Sequence, residues 1–518
     1  MFATGKTTFL VNVICRSLYQ SECDRNSRPR RLMVCAPTNK AVSILAARFL
    51  DAINWNSSNF TAVLVGDADK LLLDDSKERT SPLRSIFLHS WMTSIINGYD
   101  MIRSYFTPGC PKVALTAEDL YVESSGLEKR LRQCSSIIPP NIEETFTKIS
   151  AALQQFKEGG TADDIVSLVD GLVSILKTVN VDLFRNHLLS TANVIFCTLM
   201  SSGGAILKST SPINDLIVDE AGAATEPSLY IPFHLKPTRL LAAGDPAQLP
   251  PTVLSRRASD LGLSRSLLDR LMHGCGYAYA MLDVQYRMNP AIASFPALHF
   301  YNSKVINGDN VSHSNYKAAA TLLDGKPYTF LQIAGAEEQV AGGSYRNRLE
   351  AAAVVNLICQ LRAATSTTDP SWFSSDRVRI ITFYQAQVTL LTSALKNQGL
   401  GMEKVVVSTV DSSQGCEADI VLLSFVRSTE GDKDDEDMKN SSAGFLTVDR
   451  RMNVALTRAR HQLICIGNVC NFRTFRGALT LRLLANNAEK RNVIRAFSQK
   501  PIRAFKMKQT KPFQVREA

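Results

Sequence analysis

The sequence is poor in several features that would assign a class at once. It has no uninterrupted apolar run of about 18 residues, so a membrane-spanning helix is not expected. Its eleven cysteines include no C-x-x-C pair, which argues against a zinc module and a disulfide framework. Cys15, Cys35, Cys197 and Cys465 fall in apolar stretches and read as reduced core thiols, so a reducing intracellular compartment is expected. Residues 1–10 lack the charged-then-apolar layout of a signal peptide. With 45% hydrophobic and 20% charged residues, the 518-residue chain has neither disordered, collagenous nor coiled-coil composition.

The charge is unevenly placed. The formal net charge is +10, yet residues 490–518 hold nine basic residues and one acidic. The rest of the chain carries 49 basic against 47 acidic and is close to neutral. Residues 430–440, EGDKDDEDMKN, hold six acids and read as a solvated loop. In the basic tail Phe497, Phe505 and Phe513 alternate with cations, a pattern that suits base stacking, although a solvated terminus is the plainer expectation.

Short apolar runs rich in Val, Ile and Leu recur at 31–36, 193–198, 215–219, 239–243, 378–383, 404–408, 420–425 and 462–466. Runs apolar throughout, each followed by a turn and a helical pattern, predict parallel strands buried on both faces. The fold class expected is α/β, with parallel sheets in two domains that part near residue 277. Residues 51–190 show apolar spacing of three and four and read as a largely helical insertion in the first domain.

Three segments carry chemistry. The opening MFATGKTTFLVNVI matches the second half of G-x-x-x-x-G-K-[ST], in which backbone N–H groups and a lysine cradle phosphates. Gly5, Lys6 and Thr7 fit, with Thr7 able to ligate magnesium, and the first glycine would fall one residue before Met1. DLIVDEAG delivers Asp219 and Glu220 at the end of an apolar strand, one to hold magnesium and the other to activate water. RLLAAGDPAQLPPTV ends another strand in Asp245 and Gln248. Taken singly, these are a helix start, two solvated acids and a proline-stiffened turn; together they point to nucleotide hydrolysis. Arginines follow in the second half: Arg287 in LDVQYRMNPAIASFP, and Arg458 and Arg460 in NVALTRARHQL, where a helix is expected.

The ordered series ATGKT, APTNKAV, DEAGAATEP, GDPAQLPPTV, LDVQYRMNPAIASFP, FYQAQ, STVDSSQGCEADIVLLSFVRS and GFLTVDRRMNVALTRAR resembles the motifs of superfamily 1 helicases. The similarity is to the senataxin and nonsense-mediated-decay branch. It covers roughly 1–50 and 190–475.

The resemblance implies two RecA-like P-loop domains, the first from 1–50 and 191–276 and the second from 277–485, followed by a basic tail at 486–518. It implies ATP and Mg2+ as cofactors, single-stranded RNA or DNA as partner, and a monomeric motor moving 5′→3′ in the nucleus or cytoplasm. Gly5, Lys6, Thr7 and Thr8 would bind phosphates, Thr7 and Asp219 the metal, and Glu220 the attacking water. Gln248, Arg287 and Arg458 would reach the γ-phosphate, Tyr286 the adenine and Glu417 the ribose. Pro37, Thr38, Asn39, Thr198, Ser201, Ser202 and Thr409 would meet the nucleic-acid backbone, a sequence-independent contact. Relative to the family pattern, the strand and first glycine of the phosphate loop are missing here. A truncated chain is therefore expected, with a catalytically impaired nucleic-acid-binding fragment as the alternative to an active motor. Another P-loop class, such as a nucleotide kinase, does not account for the arginine-rich second half.

Overall fold

The computed structural model describes residues 4–23, 30–53, 60–71, 82–107, 115–134, 136–139, 141–159, 164–208, 210–313, 316, 321–365, 377–399, 405–428 and 443–497. The acidic segment 430–440, Phe505 and Phe513 lie outside these residues. The chain forms two compact units that divide between Leu282 and Asp283.

The first unit is built on five parallel strands: β1 (Leu32–Ala36), β2 (Ala62–Val65), β3 (Val194–Thr198), β4 (Asp215–Val218) and β5 (Arg239–Ala242). Their order is β2-β3-β1-β4-β5. Strand side chains alternate between faces. On one face Leu32, Val34, Leu64, Phe196 and Ile217 join Leu10, Ile14, Val42 and Phe49 of α1 (Lys6–Cys23) and α2 (Asn39–Ala52) in one buried cluster.

The other face, with Met33, Cys35, Val63, Ile195, Cys197 and Val218, belongs to a second cluster. That cluster continues into α5 (Trp91–Phe106), α6 (Ala117–Arg132), α7 (Asn141–Lys157), α8 (Ile165–Leu176) and α9 (Val181–Thr191), which follow the short α3 (Ala68–Leu71) and α4 (Pro82–Ile86). Trp91, Leu127, Phe146, Val169 and Phe184 are all buried within it. The helical segment therefore shares a core with the sheet. Residues 62–65 fall inside the segment expected to be the insertion at 51–190, yet they form β2, paired in parallel with β3.

The second unit holds a six-stranded parallel sheet ordered β12-β11-β13-β14-β8-β15. Its strands are β8 (Tyr328–Gln332), β11 (Val378–Thr382), β12 (Val406–Thr409), β13 (Ala418–Ser424), β14 (Ala459–Gly467) and β15 (Ile494–Ala496). Two small pairs complete it, β6 (Val284–Gln285) with β7 (Ile306–Asn307) and β9 (Glu337–Gln339) with β10 (Tyr345–Asn347). The helix Arg348–Thr365 packs Val354, Leu357 and Ile358 onto the sheet residues Val378, Ile380, Ile420 and Ile464.

Two expectations change here. Arg460 lies in β14, and Arg458 sits between that strand and the helix Asp449–Leu456, so neither is helical. Thr457, the residue after the helix, turns the chain, and its hydroxyl donates to Asn453 O at 2.7 Å. The start of the basic tail is also structured, since β15 pairs with β8 and Phe497 packs against the core of this unit. Among the described residues, no helix is long and apolar enough to cross a membrane.

Candidate functional site

In the first unit the phosphate-loop residues stand at the head of α1, where the positive end of the helix dipole favours anions. Gly5 has φ +74 and its carbonyl accepts from Phe9 N at 2.9 Å, so Lys6, Thr7 and Thr8 occupy the first turn.

Strand β4 ends at Val218, and Asp219 follows with its N–H bonded to Cys35 O at 2.9 Å. Asp219 is only 5% exposed. Burial, reinforced by the neighbouring Glu220 charge, pushes its carboxyl up to about 6, against the pull of Lys6 and Arg48. Glu220 takes a left-handed backbone, φ 51 and ψ 36, and donates its N–H to Asp219 Oδ1 at 2.8 Å. That conformation is uncommon outside glycine and is often found where side-chain direction matters.

The loop after β5 closes on this corner. A Cβ on Gly244 would come within 2.7 Å of Gly222 N, so only glycine lets the two loops approach. Asp245 is buried and accepts from Gln248 Nε2 at 2.7 Å and Ala247 N at 3.1 Å. Gln248, 5% exposed, is thereby fixed. Asp245 stands in the same motif as Gln248; its role as the clamp was not evident from sequence spacing. The structure thus brings Lys6, Asp219, Glu220 and the Asp245–Gln248 pair to the carboxyl-terminal side of one sheet.

This corner suits a nucleotide with a magnesium ion. Two adjacent carboxylates, one raised by burial, are relieved by a divalent cation. Thr7 and Asp219 are hard oxygen donors, the type magnesium takes while keeping several waters and phosphate oxygens.

Along the same edge of the first unit, Thr38 caps α2 by accepting from Ala41 N at 3.3 Å, with Pro37 and Asn39 on either side. Thr198 caps the short helix Leu199–Ser202, its Oγ1 accepting from Ser201 N at 3.0 Å. Ser202 lies deeper: it is fully buried, and its hydroxyl donates to Leu199 O at 2.6 Å.

In the second unit Tyr286 is 53% exposed, its carbonyl accepting from Asn310 Nδ2 at 2.9 Å. Arg287 pairs with Glu417 and donates to Thr457 O at 3.1 Å. Arg460 reaches the same carboxylate at 3.3 Å and Asp419 at 2.9 Å. Burial would raise Glu417, but the Arg287, Arg460 and Arg458 guanidiniums outweigh it and hold the carboxyl below its usual value. Arg458, 2% exposed, donates to Val454 O at 3.0 Å and Cys416 O at 3.4 Å. Thr409 ends β12, its Oγ1 accepting from Ser412 N at 3.3 Å. The structure therefore gathers Arg287, Glu417 and Arg458 into one charged cluster. Spacing alone did not reveal the Arg460–Asp419 pair that supports it.

Two models described as AAA domain match the chain, over residues 2–256 and 263–470. The chain is 32% identical over 348 residues to the probable helicase MAGATAMA 3 of Arabidopsis thaliana, covering 67% of this chain and 39% of that protein. It is 33% identical over 308 residues to helicase sen1 of Schizosaccharomyces pombe, covering 58% of this chain and 18% of sen1. A regulator of nonsense transcripts 1 homolog from Drosophila melanogaster is 33% identical over 290 residues, covering 55% and 23%. The chain spans well under two thirds of the length of each of these relatives.

Proposed function

The chain belongs to the superfamily 1 helicases of the senataxin and nonsense-mediated-decay branch, and on that premise we propose that it is an ATP-driven motor acting on single-stranded RNA or DNA. The supporting observation is the end of β4, where buried Asp219 and left-handed Glu220 stand beside Lys6 and the clamped Gln248.

In this reading Gly5, Lys6, Thr7 and Thr8 hold the phosphates, and Thr7 and Asp219 hold magnesium. When bound, the magnesium–nucleotide complex supplies the phosphoryl group and shields its charge. Glu220 orients the attacking water and accepts its proton. Gln248 reads the γ-phosphate, with its amide presented by Asp245. Tyr286 stacks on the adenine and Glu417 holds the ribose. Arg287 and Arg458 exchange their present partners for γ-phosphate oxygens and stabilise charge in the transition state.

Pro37, Thr38, Asn39, Thr198, Ser201 and Thr409 grip the strand backbone, while Ser202 supports the turn from beneath. Such contacts are sequence-independent. Resemblance to the family supports a motor in which hydrolysis drives movement 5′→3′ along the strand. The motor works as a monomer inside the cell, in nucleus or cytoplasm.

The test is Glu220→Gln in the full chain. The expected result is a loss of about 10²–10⁴ in ATP turnover, the usual worth of a positioned general base, with nucleotide and strand still bound. Unchanged turnover removes Glu220 from the role given to it.

A further inference from the structure

Resting on the motor reading above, we propose that Phe445 is a stacking platform for a base of the bound single strand, beside the backbone contact proposed at Thr409. The carboxyl ends of three parallel strands form a row in the second unit. Thr382 of β11 is in register with Thr409 of β12 on one side and Ser424 of β13 on the other. Open α/β sheets bind ligands just beyond such ends.

Two residues past β11 stands Tyr384, 4% exposed, whose hydroxyl donates to Ala443 O at 3.4 Å. Its ring lies 5.6 Å from that of Phe445, tilted by 33°. Gly444 makes this seating available. It has φ +56, and a Cβ there would come within 3.0 Å of both Arg427 Nη1 and the Tyr384 hydroxyl. In the turn Gly444–Thr447 the apolar neighbours then part: Leu446 is fully buried, while Phe445 is 46% exposed.

A single exposed phenylalanine needs no explanation. What sets this one apart is its support. The Arg451 guanidinium lies over its ring at 4.5 Å. Arg451 in turn is held by Asp411 through Nε at 2.9 Å and Nη2 at 3.0 Å. Asp411 opens the turn Asp411–Ser413 two residues after Thr409, whose hydroxyl bonds Ser412 Oγ at 2.7 Å.

An aromatic ring, a guanidinium plane and a strand-end hydroxyl thus form one contiguous patch. Asp411 offsets the Arg451 charge, so the patch is not a phosphate site in itself. Its chemistry suits the flat face of a nucleobase, and it is indifferent to which base, because every base has a π-face.

The experiment compares binding of a single-stranded oligonucleotide with a strand of the same length whose nucleotides are abasic, using the full chain and its Phe445→Ala and Phe445→Trp variants. The alanine variant should bind the base-bearing strand about ten- to a hundredfold more weakly, the usual cost of losing one stacking ring, and the abasic strand as well as wild type does. The tryptophan variant should retain wild-type affinity for both, which also shows that the loop tolerates substitution. Equal binding of the base-bearing strand by wild type and Phe445→Ala overturns the proposal while leaving the motor reading intact. So does an equal loss on both strands. If wild type binds neither strand, the motor reading itself fails and this inference falls with it.

Discussion

Glu350 shows how a single buried side chain sets backbone geometry near the candidate site. It is fully buried, accepts from Ser424 Oγ at 2.7 Å and takes the N–H of Val426 at 2.9 Å. Asn347 Nδ2 holds the Val426 carbonyl at 3.2 Å, and Gln387 ties Asn347 to Ser424. Val426 has φ 71, a strained conformation for a β-branched residue, and it is clamped at both polar groups. Burial raises the Glu350 carboxyl to about 8, despite the hydrogen bonds that favour its charged form. Between the usual carboxylate range and that value the folded protein keeps a proton that the unfolded chain releases. This contribution is fully present below about pH 4, the unfolded value, and is lost as pH rises through 8. Glu350→Gln should therefore flatten the fall in urea midpoint from pH 5 to 9, and Glu350→Ala should cost about 1–3 kcal/mol for each donor left unpaired. An unaltered pH slope in the glutamine variant would show that Glu350 does not carry this proton.

Among the elements, the helical segment of the first unit has the most consequence for stability. Its core is continuous with one face of the sheet that carries Asp219 and Glu220, so helices and sheet are expected to unfold together. Phe184 of α9, 1% exposed and 5.6 Å from the Trp91 ring, lies in that shared core. Phe184→Ala should cost about 3–5 kcal/mol and move the melting of helices and sheet by the same amount, as followed by hydrogen exchange in both. Loss of protection confined to α5–α9 would show instead that the segment is an independent lobe. Strands that end in chemistry were the legible ones: β1, β3, β4 and β5 all lie where continuous apolar runs placed them. β2 escaped because its four residues, AVLV, stand in a helix-leaning stretch and gain their place only by pairing with β3. NVALTRARHQL suggests a helix that carries Arg458 and Arg460, yet the helix ends at Leu456. The turn at Thr457 and the register of β14 against β13 are tertiary facts that periodicity does not carry.

Over the whole molecule, the motif residues of the first unit gather at the carboxyl-terminal side of its parallel sheet, whereas in the second unit Glu417 and Arg458 stand just before β13 and β14, at the amino-terminal side of theirs. For the first unit that much follows from the order of motifs, since Thr198 and Asp219 each close an apolar run. What the order could not convey is how the polar groups are held: Asp245 on Gln248, Arg460 across Glu417 and Asp419, and Arg451 over Phe445. Such support depends on side chains far apart in sequence meeting across loops. The net charge of +10 proved a poor guide, because most of it belongs to residues 490–518. Of these, residues 490–497 end a helix and complete a sheet. The most direct measurement of the central claim is steady-state ATP hydrolysis by the full chain, with and without a saturating single-stranded oligonucleotide. The account predicts that the strand raises turnover. Turnover that is unchanged by the strand would contradict a motor that couples hydrolysis to nucleic acid.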